Sequence, residues 1–308
     1  AIAVVLIIVG TGSFVVSNWQ PDQPVEVLID KWAQPPSTFV ELDGMDVHLR
    51  DEGPRDDPLP IVLLHGTGAS LHTWDGWVDV LSQERRVIRF DLPGFGLTGP
   101  NADGNYGVDR YAEFVVAVLD KLGVDRAVVA GNSLGGNIAW AMAVWYPSRV
   151  DKLVLLNATG YDFKPEVVPI GFTLARIPVV RNMIRNVMPR DAVRSSIESV
   201  YGDPSRVTPE LVDLYFDMST REGNRTALMQ RLTQLEGGAI AHLIKEVSQP
   251  TLVLWGRKDR LVPVINAERF DADIAGSELL IWEDLGHVPH EEDPARTVQA
   301  VQAFLEAS

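Results

Sequence analysis

Ser133, Asp259 and His287 are residue types that together could carry out nucleophilic acyl transfer, and each stands just beyond a strand-like apolar run. Ser133 lies in Gly131-Asn132-Ser133-Leu134-Gly135, with the apolar run Ala127–Ala130 before it and a helix-permissive run, Ile138 to Trp145, after it. Strand, sharp turn and helix with a hydroxyl at the apex form a nucleophile elbow. The flanking glycines let the two backbones pass close together. The helix N-terminus favours negative charge developing beside it. A serine hydroxyl is a weak nucleophile at neutral pH and needs a base in contact and an acid to orient that base. The chain has six histidines, His48, His65, His72, His242, His287 and His290. Of these, His287 follows the last strand-like run in Gly286-His287-Val288-Pro289, while Asp259 closes Gly256-Arg257-Lys258-Asp259 after an earlier one.

Bulk properties exclude several other chemistries. The 308 residues carry 27 basic and 42 acidic side chains, a net charge of −15. Such a chain is repelled by phosphate backbones, so no nucleic-acid partner is expected. The absence of cysteine removes thiol nucleophiles, disulfides and thiolate metal sites. No His/Asp/Glu group has metal-ligand spacing and no glycine-rich phosphate loop is present, so neither a metal nor a cofactor is expected.

The elements that must position these residues can be read from hydropathy. Residues 38–51 alternate around Asp43-Gly44, a hairpin signal. Ile61–Leu64, Val87–Phe90, Ala127–Ala130, Val150–Leu156, Thr251–Trp255 and Glu278–Trp282 are apolar runs of strand length. Helical stretches separate them, including Trp74–Leu81, Tyr111–Leu122 and a last helix from Pro294 to Glu306. This alternation predicts a mostly parallel, twisted sheet with helices on both faces. From about Gly160 to Glu246 only helical stretches occur: Pro178–Met188, Asp191–Val200, Pro209–Met218 and Arg225–Leu235. An all-helical insertion between two strands is expected to cap the carboxyl edge of the sheet, where open α/β sheets bind ligands.

Residues 1–16 carry no charge, and Trp19 follows them. Their length is just short of the roughly 20 residues a spanning helix wants. A signal-anchor helix is the first expectation, with a cleaved signal peptide and a buried core helix as alternatives. The corresponding locations are membrane-anchored or exported, or cytoplasmic if the segment is a core helix. The expected division is 1–17 as anchor or signal, 18–37 as a tether with a helix over Val25–Trp32, 38–159 with 247–308 as the core, and 160–246 as the cap.

Five segments, in this order, make the sequence resemble the α/β-hydrolase superfamily, in its cap-bearing branch of esterases, epoxide hydrolases, dehalogenases and carbon–carbon bond hydrolases. They are His65-Gly66-Thr67-Gly68, Asp91-Leu92-Pro93-Gly94-Phe95-Gly96, Gly131-Asn132-Ser133-Leu134-Gly135-Gly136, Trp255-Gly256-Arg257-Lys258-Asp259 and Gly286-His287-Val288-Pro289. The resemblance runs from about residue 38 to the end. It implies an α/β-hydrolase fold with Ser133 as nucleophile, His287 as base and Asp259 as the acid that orients it. It also implies an oxyanion hole made by the backbone N–H groups of Thr67 and Leu134. His65 is then structural, Asp91 a loop former, and His290, Glu283 and Asp284 bystanders.

A serine at the elbow, where dehalogenases and epoxide hydrolases carry aspartate, points to acyl transfer. The expected activity is therefore that of a carboxylesterase cleaving a small-molecule ester with an apolar acyl or alcohol group through an acyl-enzyme. The alternative is a carbon–carbon bond hydrolase of the meta-cleavage-product type, which the Gly-Asn-Ser-x-Gly-Gly setting resembles. Val288 after the histidine and the less glycine-rich Gly66-Thr67-Gly68-Ala69-Ser70 turn depart from that group. A non-enzymatic receptor on the same fold is a third, minor option. The apolar side chains of residues 165–188 suggest an apolar lining for the cap. Arg176, Arg181, Arg185, Arg190 and Arg194 suggest a basic patch facing anionic lipid or a substrate carboxylate, or else a solvated face. A membrane contact is expected through residues 1–17; the oligomeric state is not legible.

Overall fold

The computed structural model describes residues 13–168 and 186–307. Eight strands build one sheet: β1 (Thr38–Leu42), β2 (Met45–Glu52), β3 (Ile61–Leu64), β4 (Val87–Phe90), β5 (Ala127–Asn132), β6 (Val150–Leu156), β7 (Thr251–Gly256) and β8 (Glu278–Trp282). The helices are α1 (Val25–Trp32), α2 (Asp75–Leu81), α3 (Val108–Lys121), α4 (Leu134–Trp145), α5 (Arg190–Glu198), α6 (Pro209–Thr220), α7 (Asn224–Thr233), α8 (Ile265–Asp273), α9 (Pro289–Glu292) and α10 (Pro294–Glu306).

The strand order is β1-β2-β4-β3-β5-β6-β7-β8. β1 and β2 pair antiparallel as the Asp43-Gly44 signal requires, with both turn residues at positive φ (52° and 77°). β2 pairs antiparallel with β4, and every later pairing is parallel. The central strands are apolar at consecutive positions because both faces are covered. Ile61 and Leu63 of β3, with Val128 and Ala130 of β5, pack against Trp74, Trp77, Val301 and Phe304. Val62, Leu64 and Val129 point the other way, toward Phe114, Ile138, Met142 and Phe270. Each such side chain contributes about 1.5–3 kcal/mol on burial, so the register that aligns the carboxyl ends of β3, β5, β6 and β7 is strongly specified.

Between β6 and β7 the described chain forms helices and connecting loops and adds no strand to the sheet. Thr208 caps α6, its hydroxyl accepting from the Leu211 N–H at 3.2 Å. Ile197, Tyr201, Val207 and Val212 form a separate small core that closes on Val288, the residue after His287. The segment before β1 straps this region from outside. Lys31 and the Trp32 indole reach the Asp217 carboxylate of α6 at 2.6 and 2.9 Å. Asp22 pairs with Arg225 of α7, and Leu28 packs with Leu97 and Met218.

Two expectations need correction. The helix anticipated over Pro178–Met188 does not hold at its end. Trp19 and Val187 form a β-bridge, flanked by Gln20 N–H to Asn186 C=O at 2.7 Å and Met188 N–H to Asn18 C=O at 3.1 Å. The pairing with the N-terminal segment wins over local helix propensity. The basic patch is also not free where it can be seen. Arg190 pairs with Asp213 at 2.6 Å and Arg194 with Glu198 at 3.7 Å. Arg176, Arg181, Arg185 and residues 178–185 lie outside the described residues, as do residues 1–12 of the apolar N-terminal run. Among the described residues, no helix is long and apolar enough to cross a membrane.

Candidate active site

The turn between β5 and α4 holds Ser133 at φ 54°, ψ −112°, a backbone region that L-residues avoid. Three main-chain bonds impose it. The Ser133 N–H donates to Leu156 C=O at 3.0 Å, and its own C=O accepts from Asn137 and Thr159 at 3.0 and 3.1 Å. The flanking glycines are required sterically. A Cβ on Gly131 would lie 2.2 Å from the Gly135 carbonyl carbon, and one on Gly135 2.0 Å from the Leu64 oxygen. Leu134 heads α4, so its N–H has no acceptor within the helix.

Asp259 follows β7 and is 4% exposed. Its Oδ1 accepts from Leu261 and Val262 N–H at 2.8 and 2.9 Å, and its Oδ2 accepts from Asn157 Nδ2 at 2.7 Å. The same Oδ2 meets His287 Nδ1 at 2.7 Å. A carboxylate acceptor there makes Nδ1 the protonated nitrogen of a neutral ring and leaves Nε2 with its lone pair. The His287 main chain is pinned on both sides: its N–H donates to Val200 C=O at 2.8 Å, and its C=O accepts from Asn132 Nδ2 at 2.9 Å. Ser133, His287, Thr67 and Leu134 line one cavity of about 1380 Å³ between the sheet edge and helices α5 to α7.

The remaining titratable candidates resolve differently. His65 is fully buried; its Nδ1 pairs with Gly66 C=O at 2.8 Å and its Nε2 accepts from the Leu92 N–H at 2.9 Å. Burial lowers its pKa, so it is a neutral brace for two loops. Asp91 accepts from Leu71 and Leu97 N–H, both at 2.7 Å, and pairs with His48 at 2.8 Å. Burial alone would raise its pKa, but His48, together with His65 and His72, outweighs this and holds it low. Asp91 is thus a charged hub beneath the loops as well as a loop former. His290 stacks on Trp74 at 4.2 Å and bonds Thr73 at 2.9 Å; burial pulls it down to about 3. Glu283 and Asp284 form surface pairs with Arg257 and Arg296. Among the described residues no group of side chains is arranged to hold a metal ion.

Sequence reasoning missed Asn157, which anchors Asp259, and Asn132, which ties the elbow to the His287 loop. It also missed Glu292, whose carboxylate accepts from Gly286 N–H at 2.7 Å and Gly202 N–H at 2.8 Å. Asn157 offered one signal: an Asn directly after an apolar strand tolerates positive φ, and it sits at φ 43°.

A family profile described as alpha/beta hydrolase fold matches residues 60–178. The chain is 33% identical over 278 residues to a 2-hydroxy-6-oxo-2,4-heptadienoate hydrolase of Pseudomonas putida, covering 87% of this chain and 96% of that protein. This chain belongs to the α/β-hydrolase superfamily. A 2-hydroxymuconate semialdehyde hydrolase of a Pseudomonas species is 30% identical to this α/β-hydrolase over 272 residues, covering 85% and 91% of the two chains. Among solved structures, a meta-cleavage product hydrolase from Pseudomonas fluorescens superposes with a TM-score of 0.76 at 26% identity, covering 87% and 97%. The α/β-hydrolase likeness therefore extends through the helical insertion and the His287 loop.

Proposed function

We propose that this hydrolase cleaves a carbon–carbon bond in a conjugated oxo-acid of the meta-cleavage type, with Ser133, His287 and Asp259 as its triad and the 160–246 insertion as its cap. The observation that carries the reading is the near full-length match to a 2-hydroxy-6-oxo-2,4-heptadienoate hydrolase, cap region included. It replaces the ester as first expectation; the triad chemistry is common to both.

In this reading the 2-hydroxy-dienoate first takes its 2-oxo tautomer, the hydroxyl proton moving to C5; Ser133 Oγ then attacks the C6 ketone carbon and its proton passes to His287 Nε2. Asp259 keeps Nδ1–H in place and stabilises the imidazolium. The oxyanion receives the N–H groups of Leu134 and Thr67, each contributing about 3 kcal/mol. Collapse breaks the carbon–carbon bond. The electron pair leaves into the conjugated 2-oxo acid as a dienolate, and the imidazolium protonates it. Water, activated by His287, then hydrolyses the acyl-Ser133.

Ester hydrolysis is the second reading. It is favoured by Val288, which packs against the cap core beside His287 and gives the site an apolar wall. One experiment separates the two: turnover of 2-hydroxy-6-oxo-2,4-heptadienoate, followed by loss of its dienolate absorbance, alongside a p-nitrophenyl ester series, by wild type and Ser133→Ala. Dienoate cleavage that disappears in Ser133→Ala supports the first reading. Ester turnover alone would replace it with the second. Turnover of either substrate by Ser133→Ala at the wild-type rate would remove the triad assignment.

A further inference from the structure

We propose that Arg231 is the receptor for a carboxylate on the substrate, fixing the acid end of the molecule while its carbonyl meets Ser133. The proposal rests on the reading of the cavity as a hydrolase substrate site and adds a charge requirement to it.

Arg231 lies in the last turns of α7 and lines the same cavity as Ser133 and His287. It is only 6% exposed. A guanidinium remains charged when buried, because its pKa is too high for it to shed a proton. Burial lowers that pKa but supplies no counter-charge. Among the described residues, no carboxylate lies within ion-pair distance of Arg231, and its Nε has no hydrogen-bond partner. The titratable group it meets is the Tyr111 phenol, whose hydroxyl donates to Pro93 C=O at 2.9 Å.

Neighbouring arginines show how different this is. Arg190, Arg194, Arg206 and Arg225 each pair with an aspartate or glutamate. Arg221 also has an unpartnered Nε but donates to the Glu222 carbonyl and does not line the cavity. The carboxylates on the cavity lining, Asp109, Asp162 and Glu236, are all exposed, and none pairs with Arg231. An unpaired buried charge is costly unless something compensates it. The missing partner has the chemistry of an anion presented inside the cavity, and the planar guanidinium fork matches a carboxylate.

The test compares charged and neutral substrates of one size on wild type, Arg231→Gln and Arg231→Lys. The pairs are 2-hydroxy-6-oxo-2,4-heptadienoate with its methyl ester, and mono-p-nitrophenyl adipate with p-nitrophenyl hexanoate. Wild type should favour the free acid of a pair. Arg231→Gln should lose on the order of 100-fold in kcat/KM on that acid, mainly through KM, with the neutral partner changed less than about 3-fold. Arg231→Lys should recover part of the loss.

The p-nitrophenyl pair works whichever bond the enzyme prefers, so failure of the carbon–carbon reading is seen separately from failure of the Arg231 role. If wild type cleaves none of the four, calorimetric titration of adipate into wild type and Arg231→Gln decides the matter. Binding lost in the variant supports the role, and no binding to wild type overturns it. Equal losses on charged and neutral substrates, or no acid preference in wild type, would also overturn it. The wild-type preference stands as evidence even if the variants fold poorly.

Discussion

Asp259 has four polar contacts and no spare acceptor position, so its orientation is set before any substrate arrives. Asp259→Asn is expected to lower kcat by about 10³–10⁴-fold, because an amide in that place allows the wrong imidazole tautomer; single-turnover kinetics would measure it. Asn157→Ala removes one charge-assisted bond and should lower kcat about 10–100-fold with KM little changed. An unchanged kcat would mean that the Leu261 and Val262 amides suffice to hold Asp259. The placement of Ser133 and His287 on one cavity, with Asp259 against His287, was legible because each sits in a short motif directly after an apolar run. Asn157 and Asn132 were not, because their roles come from residues 102 and 155 positions away. The acid partners of Arg190 and Arg194 were illegible for a related reason: spacing puts like charges on one face but does not reveal the acids that fold against them.

Among the elements, the least legible contact was the one between the helical insertion and the His287 loop. The stretch Val200–Gly202 runs against the His287 loop main chain to main chain. A Cβ on Gly202 would fall 2.5 Å from the Asp284 oxygen, and one on Gly286 2.4 Å from the Gly202 nitrogen. Glu292 bridges the two segments from below, and burial raises its pKa to about 7 against three backbone donors that pull it down. The folded protein therefore binds this proton more tightly than the unfolded chain does. The stability it confers is complete below the unfolded value of about 4.5 and is lost as pH rises through about 7. The difference amounts to about 3 kcal/mol at most. Melting curves from pH 4.5 to 8 should show wild type losing stability over this window and Glu292→Gln losing less; parallel curves would discount the group. Helix α1 matched its expected bounds because an apolar stripe and flanking prolines suffice to define it. The end of the stretch 178–188 did not, because a bridge to Trp19 has no trace in local periodicity.

At the scale of the whole molecule, the parallel sheet was readable because strands covered on both faces must be continuously apolar. The strap formed by residues 18–32 was not, because its partners are polar side chains scattered over the helical insertion. Asp217 is the hub of that strap, accepting from Gln23, Lys31 and Trp32. Asp217→Ala should destabilise the protein by about 1–3 kcal/mol and raise amide exchange in both α1 and α6. Protection that persists in α1 would show that Leu28 packing alone holds the strap. This arrangement also orders events during synthesis. Asp22 and its partner Arg225 are separated by 203 positions, so the strap leaves the ribosome long before the surface that receives it. Until α6 and α7 have been made, Trp32 and Leu28 can meet only His72 and Leu97, and the rest of their apolar surface stays exposed on the nascent chain. Completion of the helical insertion is thus also the moment at which the strap becomes fully protected from aggregation and proteolysis.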